Sequence, residues 1–127
     1  MELKIDPTKN IAYIKMSGLL DSKDILNTFD RAVSDEKYKS GMGRIWDFTD
    51  IDLSSIDSDA IPNMARHSLS FPPGISDVKV AFVVTKTMEY GLTRMFQVHS
   101  AQGAKTKVLI FSTIDEAEKW MTKKEDS

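Results

Sequence analysis

The chain has 127 residues, 41% of them hydrophobic and 28% charged, which fits one soluble domain with a single core and leaves little room for a second. A formal charge of −2 and a pI near 5.7 supply no basic field, which argues against nucleic acid or anionic lipid held by charge. There is no cysteine, so disulfides, thiol catalysis and thiolate zinc sites are excluded. The opening MELKIDPTKN has no signal-like or membrane-length apolar run, so a cytoplasmic protein without a transmembrane segment is the expectation.

Leu3 and Ile5 alternate with polar neighbours, Asp6 to Asn10 has turn chemistry, and Ile11 to Met16 is rich in β-formers, so the chain opens with a β-hairpin ending at Gly18. From Asp21 the period becomes helical through Ile25, Leu26, Phe29, Ala32 and Val33. With Asp21 or Ser22 as cap, this predicts a first helix over Ser22 to Tyr38. Gly41 and Gly43 break it, and Arg44 to Phe48 reads as the third strand. Ile56, Ala60, Met64, Ala65 and Leu69 predict a second helix. Pro62 belongs in its first turn, which puts the start near Ser58 to Ile61.

Phe71-Pro72-Pro73-Gly74 ends that helix, and the near-continuous apolar run Val78 to Val84 reads as the central strand, buried on both faces. Thr87 is placed to cap a third helix carrying Leu92, Met95, Phe96 and His99, which Ala101-Gln102-Gly103 closes before an apolar strand, Val108 to Phe111. Thr113 and Glu116 form a capping box for a last helix that turns Ala117, Trp120 and Met121 inward. Lys119, Lys123 and Lys124 sit near its negative end, and Glu125 to Ser127 is a frayed tail.

The order predicts an α/β fold across residues 1–127: a single mixed five-stranded sheet, formed by an N-terminal hairpin and β-α repeats, with four helices packed on it. Three motifs carry a family likeness: Arg44-Ile45-Trp46-Asp47-Phe48, the Lys79 to Val84 strand followed by Tyr90-Gly91-Leu92, and Val108 to Phe111 with Asp115-Glu116-Ala117 to Trp120. In their order and spacing the chain resembles the SpoIIAA-like proteins, related to the STAS domains of anti-sigma-factor antagonists and sulphate transporters. The resemblance implies a SpoIIAA/STAS-like fold and a non-enzymatic, regulatory role in protein association or, as in related lipid carriers, the holding of an apolar ligand. No cofactor is implied.

Ligand groups in such folds gather at the carboxyl ends of the parallel strands, where helix N-termini present free N–H groups. That points to Asp47, Ser55, Asp57 and Ser58 after the third strand and to Thr85 and Lys86 after the fourth. In STAS antagonists a serine in an Asp-Ser pair at this helix start is phosphorylated. Counting from Asp47 puts Ser55-Ile56-Asp57 there, so the pair is not reproduced, although Ser58 follows an Asp. Ser55 and Ser58 are the phosphorylation candidates, against a plainer role for Ser55, Asp57 and Ser58 as caps and turn residues.

Asp47, Asp50, Asp52, Asp57 and Asp59 invite a hard cation, but no turn glycine or closing Glu completes a calcium loop, and no metal is expected. His67 and His99 each lie on a helix with no nucleophile at catalytic spacing, so packing or hydrogen bonding is the expectation. Met88, Tyr90, Leu92, Met95 and Phe96 on the third helix read either as a core stripe or as an adaptable groove for a lipid tail or partner helix. Tyr90 and Arg94 form an i, i+4 pair on a surface or a binding rim. The sequence thus leaves three options: a protein-binding module, with a homodimer through the hairpin's free edge as one form; a carrier of a small apolar ligand; or a hydrolase centred on Asp47 and Lys86, which would need a deep polar pocket at the strand ends.

Overall fold

The Asp6 carboxylate organises the first turn by accepting the N–H groups of Thr8 (3.0 Å) and Lys9 (3.1 Å), and Asn10 takes the left-handed backbone (φ 60°) that leads into the second strand. The hairpin so formed joins β1 (Glu2–Asp6) to β2 (Ile11–Leu19). The computed structural model describes residues 1–100 and 107–123. The helix end read at Ala101 to Gly103, Lys124 and the tail lie outside the described residues. Beyond the hairpin come α1 (Ser22–Ser34), β3 (Gly43–Asp52), a 3-10 turn (Ser58–Ala60), α2 (Ile61–Leu69), β4 (Lys79–Val83), α3 (Thr87–Ser100), β5 (Lys107–Phe111) and α4 (Ile114–Thr122).

The sheet order is β1-β2-β3-β4-β5, antiparallel between β1 and β2 and parallel elsewhere. Parallel strands in sequential order, joined by crossovers of one hand, carry their helices on one face. Accordingly α1, α2 and α3 share a face, with Ile25, Phe29, Met64, Leu92 and Phe96 in one cluster with Trp46 and Phe82. On the opposite face α4 lays Ala117, Trp120 and Met121 over Ile11, Ile45 and Val83. Both faces of β4 are therefore covered, as its apolar run implies, but the middle strand is β3. An apolar run reports coverage of both faces, not position in the order.

Three element readings need correction. Helix α1 stops at Ser34 rather than Tyr38, because Asp35 turns extended (φ −63°, ψ 137°). Its carboxylate then accepts the Lys37 N–H (2.9 Å) and its carbonyl the Tyr38 N–H (2.9 Å). The other end of α1 carries a reciprocal capping box, in which Asp24 N–H donates to the Asp21 carboxylate and Asp21 N–H to that of Asp24, each at 2.9 Å. Helix α3 begins at Thr87 itself, one residue earlier than a Thr87 cap would give, since the first helical bond runs from Tyr90 N–H to the Lys86 carbonyl (2.9 Å) and puts Thr87 inside.

Strand β3 runs on to Asp52, well past Phe48. Lys15 pairs with Asp47 and Ser17 with Asp50, so β3 holds an extra residue between them. Strict alternation from Trp46 and Phe48 would point Asp50 and Asp52 into the core. The bulge shifts the phase so that Ile51 and Leu53 are buried and both aspartates face solvent.

On the α4 face the Tyr13 hydroxyl donates to Glu118 Oε1 at 2.6 Å. Burial first, and the Glu118 carboxylate second, raise the Tyr13 pKa well above its ordinary value. A raised folded-state pKa contributes stability that is whole below about pH 10, the unfolded tyrosine value, and is lost as pH climbs above it. Tyr13→Phe is therefore expected to flatten the alkaline limb of a stability-versus-pH curve measured by urea unfolding. Curves that coincide above pH 10 would refute the linkage.

Candidate functional site

Beneath α1, α2 and α3 the core is not fully closed. A cavity of about 70 Å³ lies between these helices and the sheet, walled by Phe29, Trp46, Phe48, Phe82 and Phe96 and entered by the side chain of Arg44. Arg44 precedes Trp46 and Phe48 on the same face of β3 and is 2% exposed. Its Nη1 donates to the Tyr38 hydroxyl (2.8 Å) and to the Ile75 carbonyl (3.0 Å). Its guanidinium carbon stands 4.9 Å from the centre of the Phe29 ring.

Local structure explains both partners. Tyr38 leaves the helix at Asp35 and anchors its hydroxyl on the Met42 carbonyl at 2.8 Å. Ile75 follows Gly74, whose φ of +94° and tight approach to the Ser40 side chain admit no Cβ. The Gly74 carbonyl accepts the Gly41 N–H (2.8 Å) and its own N–H reaches Asp77 (2.7 Å), which fixes this loop beside the start of β3.

Among the described residues Arg44 Nε has no hydrogen-bond partner, and no carboxylate faces the guanidinium. Burial pushes the Arg44 pKa below its ordinary value, against the opposing influence of Tyr38. Among the described residues the other buried side-chain polar atom without a partner is Ser100 Oγ, on a residue that is 1% exposed and lines the same cavity. Helices α2 and α3 run back along the parallel strands, so His67, Ser68 and Ser100 near their ends share the amino end of the sheet with Arg44. Leu53, Ile56 and Ile61 line the cavity toward the other end. The cavity is thus polar at one end and apolar along its length. His67 meets Asp30 Oδ1 at 2.7 Å, tying α2 to α1, and packs edge-on against Phe29 and Phe71.

The residues singled out from sequence lie elsewhere. Asp47 stands mid-strand, level with Val83, on the α4 side of the sheet, and its carboxylate accepts the Thr49 N–H (3.1 Å) and hydroxyl (2.7 Å). Lys86 is exposed and donates to the Ile51 carbonyl (3.2 Å), farther along β3. Asp47 and Lys86 both lie outside the lining of the cavity. Ser55 is exposed in the loop after β3, and Ser58 is exposed at the first position of the 3-10 turn, which Asp57 caps by accepting the Asp59 N–H at 3.0 Å. Thr85 and Tyr90 are exposed at the start of α3, and exposed Arg94 bonds Gln97.

The loop aspartates do not converge: Asp47 serves Thr49, Asp52 serves Ser54 and Asp57 serves Asp59. Hydrogen bonds from Ser54, then the nearby Lys86, lower the Asp52 pKa. Among the described residues no three His, Asp or Glu side chains gather as a metal site would require.

Sequence reasoning passed over Arg44 as a site residue, because an arginine opening an apolar strand reads as a solvated end. It also passed over Glu89, 3% exposed, whose Oε1 accepts the Leu53 N–H at 3.1 Å and ties α3 to the end of β3. An acidic residue in the first turn of a helix is ordinary dipole matching, so nothing in its position marks it as buried. Glu89→Ala is expected to lower the unfolding free energy by about 1 to 2 kcal/mol by orphaning a buried N–H. Glu89→Gln keeps an acceptor and should recover most of that in urea titrations; equal losses in both variants would show that the bond is unimportant.

No family model matches this chain, and no curated protein does. Among solved structures it is similar to an uncharacterized protein of the DUF3478 family with a SpoIIAA-like fold from Shewanella loihica PV-4, at 15% identity and a TM-score of 0.58, over 94% of this chain and 92% of that one. Among the described residues no helix is long and apolar enough to cross a membrane. The mixed five-stranded sheet with its four helices is a SpoIIAA-like fold.

Proposed function

We propose that this protein is a non-enzymatic binding module that holds a small, largely apolar ligand in the cavity between the sheet and α1 to α3. The observation that carries this reading is the cavity itself, an aromatic-walled space where protein cores are ordinarily close-packed. Its volume of about 70 Å³ is well under the roughly 300 Å³ of the smallest common drug-sized pockets, which favours a short chain or a small ring over a long acyl tail. Native mass spectrometry of protein purified from its own cells, with thermal shifts against short-chain acids and alcohols, tests it. Added mass and a rise in melting temperature are expected; a bare chain that no apolar probe stabilises would overturn it.

Protein association of the STAS type is the second reading. It is favoured by the outward face of α3, where Met88, Tyr90, Met95 and Val98 are 37–51% exposed. A switch by phosphate would act at Ser55 or Ser58, both exposed beside the start of α2, where added charge would meet the 3-10 turn and any partner seated there. Intact mass with phosphatase treatment separates the two: a loss of about 80 Da would place a phosphate on the chain. Sedimentation of Tyr90→Asp against the parent chain tests the α3 face, including self-association.

A further inference from the structure

Resting on the ligand-binding reading above, we infer that the ligand is a small monocarboxylic acid whose carboxylate is held at the polar end of the cavity by Arg44 and Ser100, its apolar body lying along Trp46, Phe82 and Phe96.

A guanidinium in an apolar core is kept there against a large desolvation penalty, which an opposing charge and a full set of acceptors ordinarily offset. Arg44 is 2% exposed, yet among the described residues only Nη1 is engaged, by a hydroxyl and a carbonyl, both neutral. Among the described residues Nε has no acceptor and no carboxylate approaches. The missing partner is therefore an anion that can reach the Nε edge of the fork through the cavity.

Ser100 Oγ, also buried and unpartnered, lines the same cavity and offers a second donor. Both orphans belong to the polar end, and the rest of the wall is mainly apolar. Such a site is polar at one point and greasy elsewhere, which is the complement of an amphipathic acid.

Charge and shape narrow the head group. Among the described residues lining the cavity Arg44 alone is permanently charged, which matches a single negative charge rather than a dianionic phosphate. A planar carboxylate fits the planar edge of a guanidinium with two parallel bonds. The volume of about 70 Å³ limits the apolar body to a few carbons. Tyr38 and Ile75, by fixing Nη1, hold the fork in place before the ligand arrives, which reduces the ordering needed on binding.

The test compares butanoate with butan-1-ol, the same chain without charge, by calorimetry and by the Trp46 indole N–H resonance. The parent protein is expected to bind butanoate at least tenfold more tightly than the alcohol. Arg44→Met should weaken butanoate tenfold or more and change butanol less than twofold. Ser100→Ala, a milder change that leaves the guanidinium in place, should weaken butanoate alone. Acid and alcohol bound equally by the parent, with Arg44→Met treating them alike, would overturn the head-group assignment while leaving a carrier of neutral apolar ligands. Binding of neither probe, nor of their three- and five-carbon counterparts, would overturn the ligand-binding reading as well.

Discussion

Phe82→Ala is expected to lower the unfolding free energy by about 3 to 5 kcal/mol, the range for removing a large aromatic side chain from a close-packed core. Phe82 is 6% exposed on β4 and touches three rings: Trp46, stacked at 6.2 Å between centroids, Phe48 at 5.4 Å, and Phe96 edge-on at 5.5 Å. It joins the sheet to α3 and forms one wall of the cavity. Truncation removes those contacts and enlarges a space that the surrounding helices cannot refill without moving. Urea unfolding should show a lower midpoint with an unchanged slope. Leu109→Ala, at a side chain 38% exposed on the edge strand, should fall within about 0.5 kcal/mol of the parent. A loss below about 1 kcal/mol in Phe82→Ala would mean that the cluster does not hold the core together. The same variant is also expected to accept acids longer or bulkier than butanoate, because its cavity is wider.

Arg44→Met is expected to change stability in the opposite direction, raising the unfolding free energy by about 1 to 3 kcal/mol in the ligand-free protein. Methionine keeps the length and fills the space, and it removes a guanidinium that burial disfavours. Two losses oppose the gain. The cation–π contact with Phe29 is worth about 0.5 to 2 kcal/mol, and the Ile75 carbonyl loses its donor. The Tyr38 hydroxyl keeps its own acceptor, the Met42 carbonyl, so it is not orphaned. The net is favourable because an uncompensated charge outweighs one neutral hydrogen bond and one ring contact. Thermal or urea unfolding decides the sign. A clear drop in stability would show that Arg44 is a structural keystone rather than a site group kept at the core's expense, the trade-off common at functional positions.

Much of the architecture could be read from local pattern. The hairpin follows from Asp6 and Asn10, α1 starts where Asp21 and Asp24 cap each other, and Pro62 marks the first turn of α2, because caps, turns and prolines act within a few residues. The errors came where distant parts of the chain compete. Helical periodicity runs smoothly to Tyr38, but its hydroxyl is needed by Met42 and Arg44, and Asp35 ends the helix first. Strand β3 outlasts its apolar run because β2 continues beside it and a bulge rephases Ile51 and Leu53. That bulge also places Asp47 in mid-strand, away from the loop where the sequence put a site.

What the sequence by itself determined is the element order, the mixed sheet with helices on its faces, and the absence of thiol chemistry or a basic field, all set by composition and by contacts near in the chain. Only the tertiary structure decided that β3 is the middle strand, that Glu89 ties α3 to Leu53, and that Arg44 Nε and Ser100 Oγ, on two residues lining one cavity, have no hydrogen-bond partner among the described residues. The reason is physical. Whether a buried charge is satisfied depends on groups brought together from Tyr38, Ile75 and the end of α3, and no spacing along the chain records their meeting.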